Sequence, residues 1–526
     1  MDKMRRNLMI ASFATAAVGV FGMGAARQTS VNKSKPAANA RLGINLTGIA
    51  YWTSEFPFVD MFKQSSDWSI KGKEPAESGL LLDADGWITQ LPPNAVASTI
   101  ISVFDGKHFP SGDYVILYEG EGVIKVPNHL HKSAKPGRMV VNVNAEKGSF
   151  VLEVSKINPQ NYIRNIRVVP VSQEQTYLQK RWNPAFLARW SGVACLRFMD
   201  YMQTNNSQQS VWAERVKPSY ARFGKNIPLE WLVDLANQLH CDAWFCMPHK
   251  ADDDYIKQFA HYVKIHLKPE LHAWVEHSNE VWNGGFQQHH DAAKAGLQLR
   301  FSDQPWEAAL KYHAYRSVQI FKIWSDVFQD SERLVRVLAS QAATAYASEQ
   351  IVNFQNAASH ADVLAIAPYI SFMVGPTDNN GLNDKTVSQW SLDRLFDHLN
   401  RVCLPESIQW IKNHKKIADE YGLKLVAYEA GQHAVGVGGG ENNEQLNDLF
   451  YRANTDARMG DIYSKSLTAW TQSGGDLICH FNSVGSWSKW GSWGLLQRYD
   501  DVVANSPKFT ATIQWAISRG QKMVIK

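Results

Sequence analysis

Short apolar runs alternate with amphipathic stretches through the second two-thirds of the chain. Ala194–Phe198, Ala243–Met247, Ala273–His277, Leu334–Leu338, Val363–Ala367, Lys424–Tyr428 and Leu477–Phe481 read as strands. Their apolar residues are nearly continuous rather than alternating, the mark of a strand covered on both faces. Helical periodicity fills the intervals, at Leu229–Leu239, Tyr255–His266, Leu404–Tyr421, Leu446–Gln472 and Phe509–Arg519. Asp252, Asp253 and Asp254 suit the start of the second helix as cap and as charge facing its dipole.

Earlier in the chain, residues 41–46 (Arg-Leu-Gly-Ile-Asn-Leu) form one more strand. Eight strand–helix units predict an α/β fold, a (β/α)8 barrel. Between about Gly79 and Ser172 the rhythm is different. Runs such as Tyr114–Tyr118, Gly122–Val126, Met139–Val143 and Ser149–Val154 follow one another closely, separated by Gly, Pro, Asn and Asp. That pattern predicts a small all-β module. The expected division is 41–78 for the first barrel strand and its loop, 79–175 for the module, and 176–526 for the rest of the barrel. The module is then inserted after the first strand. The alternative is an N-terminal β module, with the first barrel strand near Trp87 or Phe186.

Residues 1–26 read as an export signal of bacterial type. Lys3, Arg5 and Arg6 make a basic start, Leu8–Met23 is apolar, and Gly24-Ala25-Ala26 offers small residues for cleavage. Arg5-Arg6 resembles a twin-arginine signal. A polar linker, 27–40, follows. The expectation is a periplasmic or secreted protein with no stable membrane insertion after cleavage. Removing residues 1–26 takes away three bases and one acid, and lowers the formal charge from +4 to +2. Such a balance gives no reason to expect nucleic acid as a partner.

Composition changes the picture in two places. The chain has 19 Trp, most of which are expected in the core, with some on a cleft where flat faces stack on sugars. The five Cys (195, 241, 246, 403, 479) are odd in number and show no metal-type spacing, so buried free thiols are expected rather than a disulfide framework. His289-His290-Asp291, and His249 with Asp252–Asp254, lack convincing ligand spacing, so no metal is expected. No cofactor motif appears.

The candidate chemistry sits at strand ends. Glu280 closes Trp274-Val275-Glu276-His277-Ser278-Asn279-Glu280, and Glu429 closes Leu425-Val426-Ala427-Tyr428-Glu429. In a (β/α)8 barrel these ends converge on one face. Two facing carboxylates there are the machinery of glycosidic cleavage, and a spacing of about 5–5.5 Å gives retention of configuration. Glu276, four residues before Glu280, reads as a structural acid.

With Asn279-Glu280 after strand four and Glu429 after strand seven, the barrel half resembles the clan of retaining (β/α)8 glycoside hydrolases that includes cellulases, mannanases and β-galactosidases. The resemblance covers about residues 42–52 and 180–526. It implies Glu280 as acid/base, Glu429 as nucleophile, and Asn279 as a hydrogen-bond partner of the sugar 2-hydroxyl. It implies that Arg197 orients the nucleophile, that His249 ends strand three as in the family-5-like branch, and that Tyr369 stands beside the nucleophile. A sugar-stacking Trp is implied after strand eight, with Trp487 favoured over Trp490 and Trp493. The chain departs from the clan where Asn-Glu-Pro is usual, having Val281-Trp282-Asn283 after Glu280, and where His-x-Tyr is usual, having Ala367-Pro368-Tyr369. The expected activity is double-displacement hydrolysis of a β-linked poly- or oligosaccharide. A non-catalytic carbohydrate-binding protein and a transglycosylase remain the alternatives. Gly436–Glu441 lacks the Lys-Ser/Thr of a phosphate loop and reads as a mobile rim loop.

Overall fold

The computed structural model describes residues 40–103, 108–224, 226–329 and 331–525. The signal and nearly all of the linker read at residues 1–40 lie outside them. Eight parallel strands close into a barrel: β1 (Arg41–Asn45), β2 (Cys195–Arg197), β3 (Asp242–Met247), β4 (Ala273–His277), β5 (Leu334–Ala339), β6 (Val363–Ile366), β7 (Lys424–Ala427) and β8 (Leu477–Phe481). Closure comes from β1 pairing with β8, from Arg41↔Leu477 to Asn45↔Phe481. All residues of β3 and β4 are buried. Inward side chains such as Cys195, Trp244, Trp274, Val337, Val426, Leu477 and Cys479 fill the barrel, while a larger apolar cluster lies between strands and helices. The five cysteines are buried and unbridged.

The β module lies between β1 and β2 in the chain. Arg41–Asn45 is the first barrel strand, Phe186 belongs to the helix Pro184–Trp190, and Trp87 packs in the module core. Two four-stranded antiparallel sheets make the module. One runs Ser69–Ile70, Ala97–Ser102, Phe150–Ile157, Gly122–Lys125; the other runs Arg164–Pro170, Gly112–Glu119, Arg138–Val143, Leu130–Lys135. Phe62, Trp68, Trp87, Ile101, Val141 and Phe150 share their core. The last strand named is exposed throughout and carries Lys132 and Lys135, charges that protect an open edge from further pairing. Trp190 Nε1 donates to Glu55 Oε1 (2.9 Å), tying the returning chain to the module's stem.

Two readings are corrected. Leu446–Gln472 is two helices, Glu444–Thr455 and Ala457–Gln472. Asp456 between them is extended, and its Oδ1 accepts from Arg458 N at 3.0 Å. A short acidic side chain thus competes with the helix ladder and caps a new start. Gly436–Glu441 is not a free rim loop. Gln432–Gly436 pairs in parallel with Ile370–Val374, making a two-stranded ribbon beyond β6 and β7. Val437 N continues it by donating to Val374 O (2.9 Å). A Cβ on Gly440 would collide with Val374 O, so the glycine is there for close backbone approach.

Candidate active site

The site is built on Arg197, the last residue of β2, whose side chain is fully buried. Its Nε and Nη2 bond the two oxygens of Glu276 at 3.0 and 3.1 Å. Nη1 reaches Glu429 Oε1 and Asn45 Oδ1, both at 3.1 Å, and Nη2 also reaches Asn279 Oδ1 at 2.8 Å. Five hydrogen bonds in one fork therefore fix the ends of β1, β2, β4 and β7. Glu276 is fully buried and also accepts from Trp244 Nε1 (2.8 Å). It is a structural anchor rather than a third acid open to a ligand.

Glu429 is 5% exposed. Tyr369 donates to its other oxygen, Oε2, at 2.9 Å. Burial raises its pKa, while the charge of Arg197 and the Tyr369 hydroxyl oppose that rise.

Glu280 is half-buried. The chain reaches it through two non-glycine residues with left-handed backbone, Ser278 (φ 60°) and Glu280 (φ 43°). Such conformations cost on the order of 1–3 kcal/mol each and persist where neighbours over-determine them. Here Ser278 N bonds Met247 O (2.8 Å), Asn283 N bonds Glu280 O (2.8 Å), and Gln288 Nε2 bonds Asn279 O (2.8 Å). Asn283 Nδ2 donates to Glu280 Oε2 at 2.9 Å, and Tyr428 Oη lies 3.3 Å from Oε1. Burial first, and then the charge of Glu429, push the Glu280 carboxyl up to about 8 against those two donors. The Glu429 charge acts on Glu280, and Tyr369 and Tyr428 feel both acids. The pair titrates as a unit.

The structure thus brings together Glu280, Glu429, Arg197, Asn279 and Tyr369. Asn279 is tied on both sides, accepting from Arg197 and donating to Asn205 Oδ1 at 3.0 Å. His249 turns elsewhere: its Nε2 pairs with Asp291 at 3.1 Å, on the helix Gln287–Gln298. Trp487 stacks on Tyr451, with Lys508 Nζ 5.4 Å from the Trp487 ring centre. Trp493 instead stacks on His433 (5.6 Å) and bonds it through Nε1 (2.9 Å). His433 packs against Tyr369 at 5.7 Å, so Trp493 is the tryptophan joined to the Glu429 wall. Asn45, Asn205, Trp282, Asn283, Gln288, Tyr428 and His433 complete the surroundings without having been singled out as site residues from sequence, and Trp493 had been the less favoured candidate. Only the position of Asn45 and Tyr428 at strand ends marked them. Among the described residues, no group of three or more His, Cys, Asp or Glu is arranged to hold a metal ion. No described helix is long and apolar enough to cross a membrane.

No family model matches the sequence, and no curated protein matches it. Solved structures similar to it include a 4-O-α-L-rhamnosyl-β-D-glucuronidase from Fusarium oxysporum, 14% identical, with 63% of each chain covered and a TM-score of 0.36. This chain thus spans just under two thirds of that enzyme. A GH5-4 broad specificity endoglucanase from Clostridium acetobutylicum is 14% identical over 62% of this chain and 88% of that one, with a TM-score of 0.35. An endo-β-1,4-mannanase from Thermotoga petrophila is 13% identical over 65% and 74%, with a TM-score of 0.35. Likeness at that level adds nothing to the geometry of the site. By its own strand order, the chain is a (β/α)8 barrel carrying a β module between its first two strands.

Proposed function

We propose that the protein is an exported retaining glycoside hydrolase that cleaves a β-linked poly- or oligosaccharide. One observation carries the reading. Two carboxylates at the ends of β4 and β7 stand in different settings of one network, Glu429 bonded by Arg197 and Tyr369, and Glu280 bonded by Asn283 and Tyr428 with its carboxyl pushed up to about 8 by burial and the Glu429 charge. Environments that push two acids apart assign their roles. Glu429 attacks the anomeric carbon as Glu280 gives its proton to the leaving oxygen. Loss of the Glu429 charge on forming the ester lowers the pKa of Glu280. The Glu280 carboxylate then takes a proton from water, whose oxygen attacks the anomeric carbon and frees Glu429. The step needs no cofactor.

The test is a panel of β-linked polysaccharides assayed with wild type, Glu280→Gln and Glu429→Gln, with product anomers followed by NMR. Both variants should remain folded and lose turnover, and the wild-type product should keep its configuration. Wild-type turnover in either variant rejects the assignment, and an inverted product rejects the double displacement.

A further inference from the structure

Four rings stand side by side where β6, β7 and β8 reach the mouth of the barrel. Tyr369 follows β6, His433 lies on the ribbon strand Gln432–Gly436 just past Glu429, Phe481 ends β8, and Trp493 lies in the chain beyond it. Ring centres are 5.7 Å apart from Tyr369 to His433, 5.6 Å from His433 to Trp493 and 5.7 Å from Trp493 to Phe481. Phe481 N bonds Ala430 O (3.0 Å) and Ile370 N bonds Gly431 O (2.9 Å), so the wall is stitched to the two residues that follow Glu429. Tyr369 Oη bonds Glu429 Oε2 itself at 2.9 Å. All four rings are half-buried, so the wall keeps an open face at the mouth that Glu429 also lines.

One bond sets the polarity of that wall. Trp493 Nε1 donates to His433 Nδ1 at 2.9 Å. An indole N–H only donates, so Nδ1 holds a lone pair and the imidazole proton sits on Nε2. A second proton, on Nδ1, would face the indole hydrogen, so the same bond keeps the ring neutral. Burial acts in the same direction, lowering the His433 pKa to about 4. Among the described residues Nε2 has no partner, and it is not one of the polar atoms sealed away from solvent. The wall therefore presents one N–H of fixed place and no charge. A donor whose tautomer is set by a neighbour, with no acceptor in the protein, is organised in advance for an acceptor from outside.

We propose that His433 binds substrate: its Nε2–H, fixed by Trp493, donates to a hydroxyl oxygen of the sugar unit that becomes bonded to Glu429. The inference rests on the hydrolase reading above. In that reading the anomeric carbon of this sugar meets Glu429. Its other atoms then rest against the groups beside Glu429, of which the Tyr369–His433 wall is one. The ring is uncharged, so the matching acceptor is a neutral hydroxyl rather than a carboxylate, whose charge would meet that of Glu429. Trp493 is a positioning residue that acts through His433.

The test uses 2,4-dinitrophenyl β-glycosides of glucose, galactose, mannose and xylose, with the β-cellobioside, the β-mannobioside and their longer homologues for a cleft that needs more than one sugar. On the substrate cleaved best, His433→Phe keeps a ring in the wall and should lose about 3- to 10-fold in kcat/KM, mainly in KM, the range of one neutral hydrogen bond. His433→Gln, whose amide can accept from Trp493 and donate onward, should recover part of that loss. Against the monodeoxy forms of the sugar joined to the leaving group, the His433→Phe loss should vanish for one form, where the bond is already absent. In nitrogen-15-labelled wild type, the His433 ring, assigned through its contact with the Trp493 indole N–H, should carry its proton on Nε2 alone. Trp493→Phe should turn this into a mixture of tautomers. Unchanged kcat/KM in His433→Phe overturns the proposal, as does a loss that persists on every deoxy form, or a wild-type ring protonated on Nδ1. Each of these results leaves the hydrolase reading standing. The wild-type tautomer decides even if a variant does not fold. A wild type inactive on these glycosides and on the polysaccharides above fails the hydrolase reading, and this inference falls with it.

Discussion

Tyr428 Oη lies 3.3 Å from Glu280 Oε1, although Tyr428 is the chain neighbour of Glu429. Trp282 Nε1 donates to the same hydroxyl at 3.2 Å, which leaves its proton free to point at Glu280. One residue therefore couples the ends of β4 and β7, and the acid is tuned partly from the nucleophile's strand.

That coupling sets a pH prediction. The hydrogen bonds of Asn283 and Tyr428 both hold the Glu280 pKa down against burial. The proposed mechanism needs Glu280 protonated, so activity should fall as pH rises through about 8. Asn283→Ala and Tyr428→Phe should each move this basic limb to higher pH. A kcat/KM profile across pH 5–10 measures it, and a limb displaced to lower pH contradicts the network.

The raised Glu280 pKa also predicts a stability effect of definite sign. The folded value, about 8, exceeds that of an unfolded glutamate, about 4.3. The native state then binds more protons between these values, so stability falls as pH rises across that window. Glu280→Gln removes the ionisation. Its unfolding free energy, measured in urea, should exceed that of wild type at pH 8–9 by on the order of 1–3 kcal/mol, and approach wild type at pH 5. The opposite trend would place the proton elsewhere.

Arg197 and Glu276 are both fully buried and bonded side by side. Arg197→Met strands Glu276 and should cost about 3–5 kcal/mol. Arg197→Met with Glu276→Met should recover much of that stability, yet stay inactive because Glu429 still lacks its cation. Denaturant unfolding and turnover, measured on both, separate the structural from the chemical role of the guanidinium.

Gly43 points into the barrel, where a Cβ would come within 2.5 Å of Cys479 Sγ and 3.1 Å of Cys195 O. Gly43→Ala should overpack the interior and cost about 1–3 kcal/mol, read as a lower melting temperature. An unchanged melt would mean that the barrel centre yields more than its packing implies.

The eight strands were legible because a parallel barrel strand is covered on both sides and must be apolar almost throughout. Glu280 and Glu429 stood out because each is an acid just after an apolar run that precedes an Asn- or Gly-containing turn. The choice of tryptophan was not. Trp487 and Trp493 look alike in sequence, and only the ribbon carrying His433 decides which one meets the Glu429 wall. Nor was the helix break at Asp456 legible, since the apolar spacing continues across it.

The sequence by itself determined the barrel, the run of the β module, and the two acids, because burial and chain direction write themselves locally, residue after residue. Tertiary structure alone decided between the strand at Arg41–Asn45 and its alternatives as β1, joined Arg197 to Glu276, Asn279 and Glu429 together, and brought Asn45 and Tyr428 to them. Those relations join residues hundreds of positions apart, where hydrogen-bond geometry and shared burial, neither recorded in local pattern, make the choice.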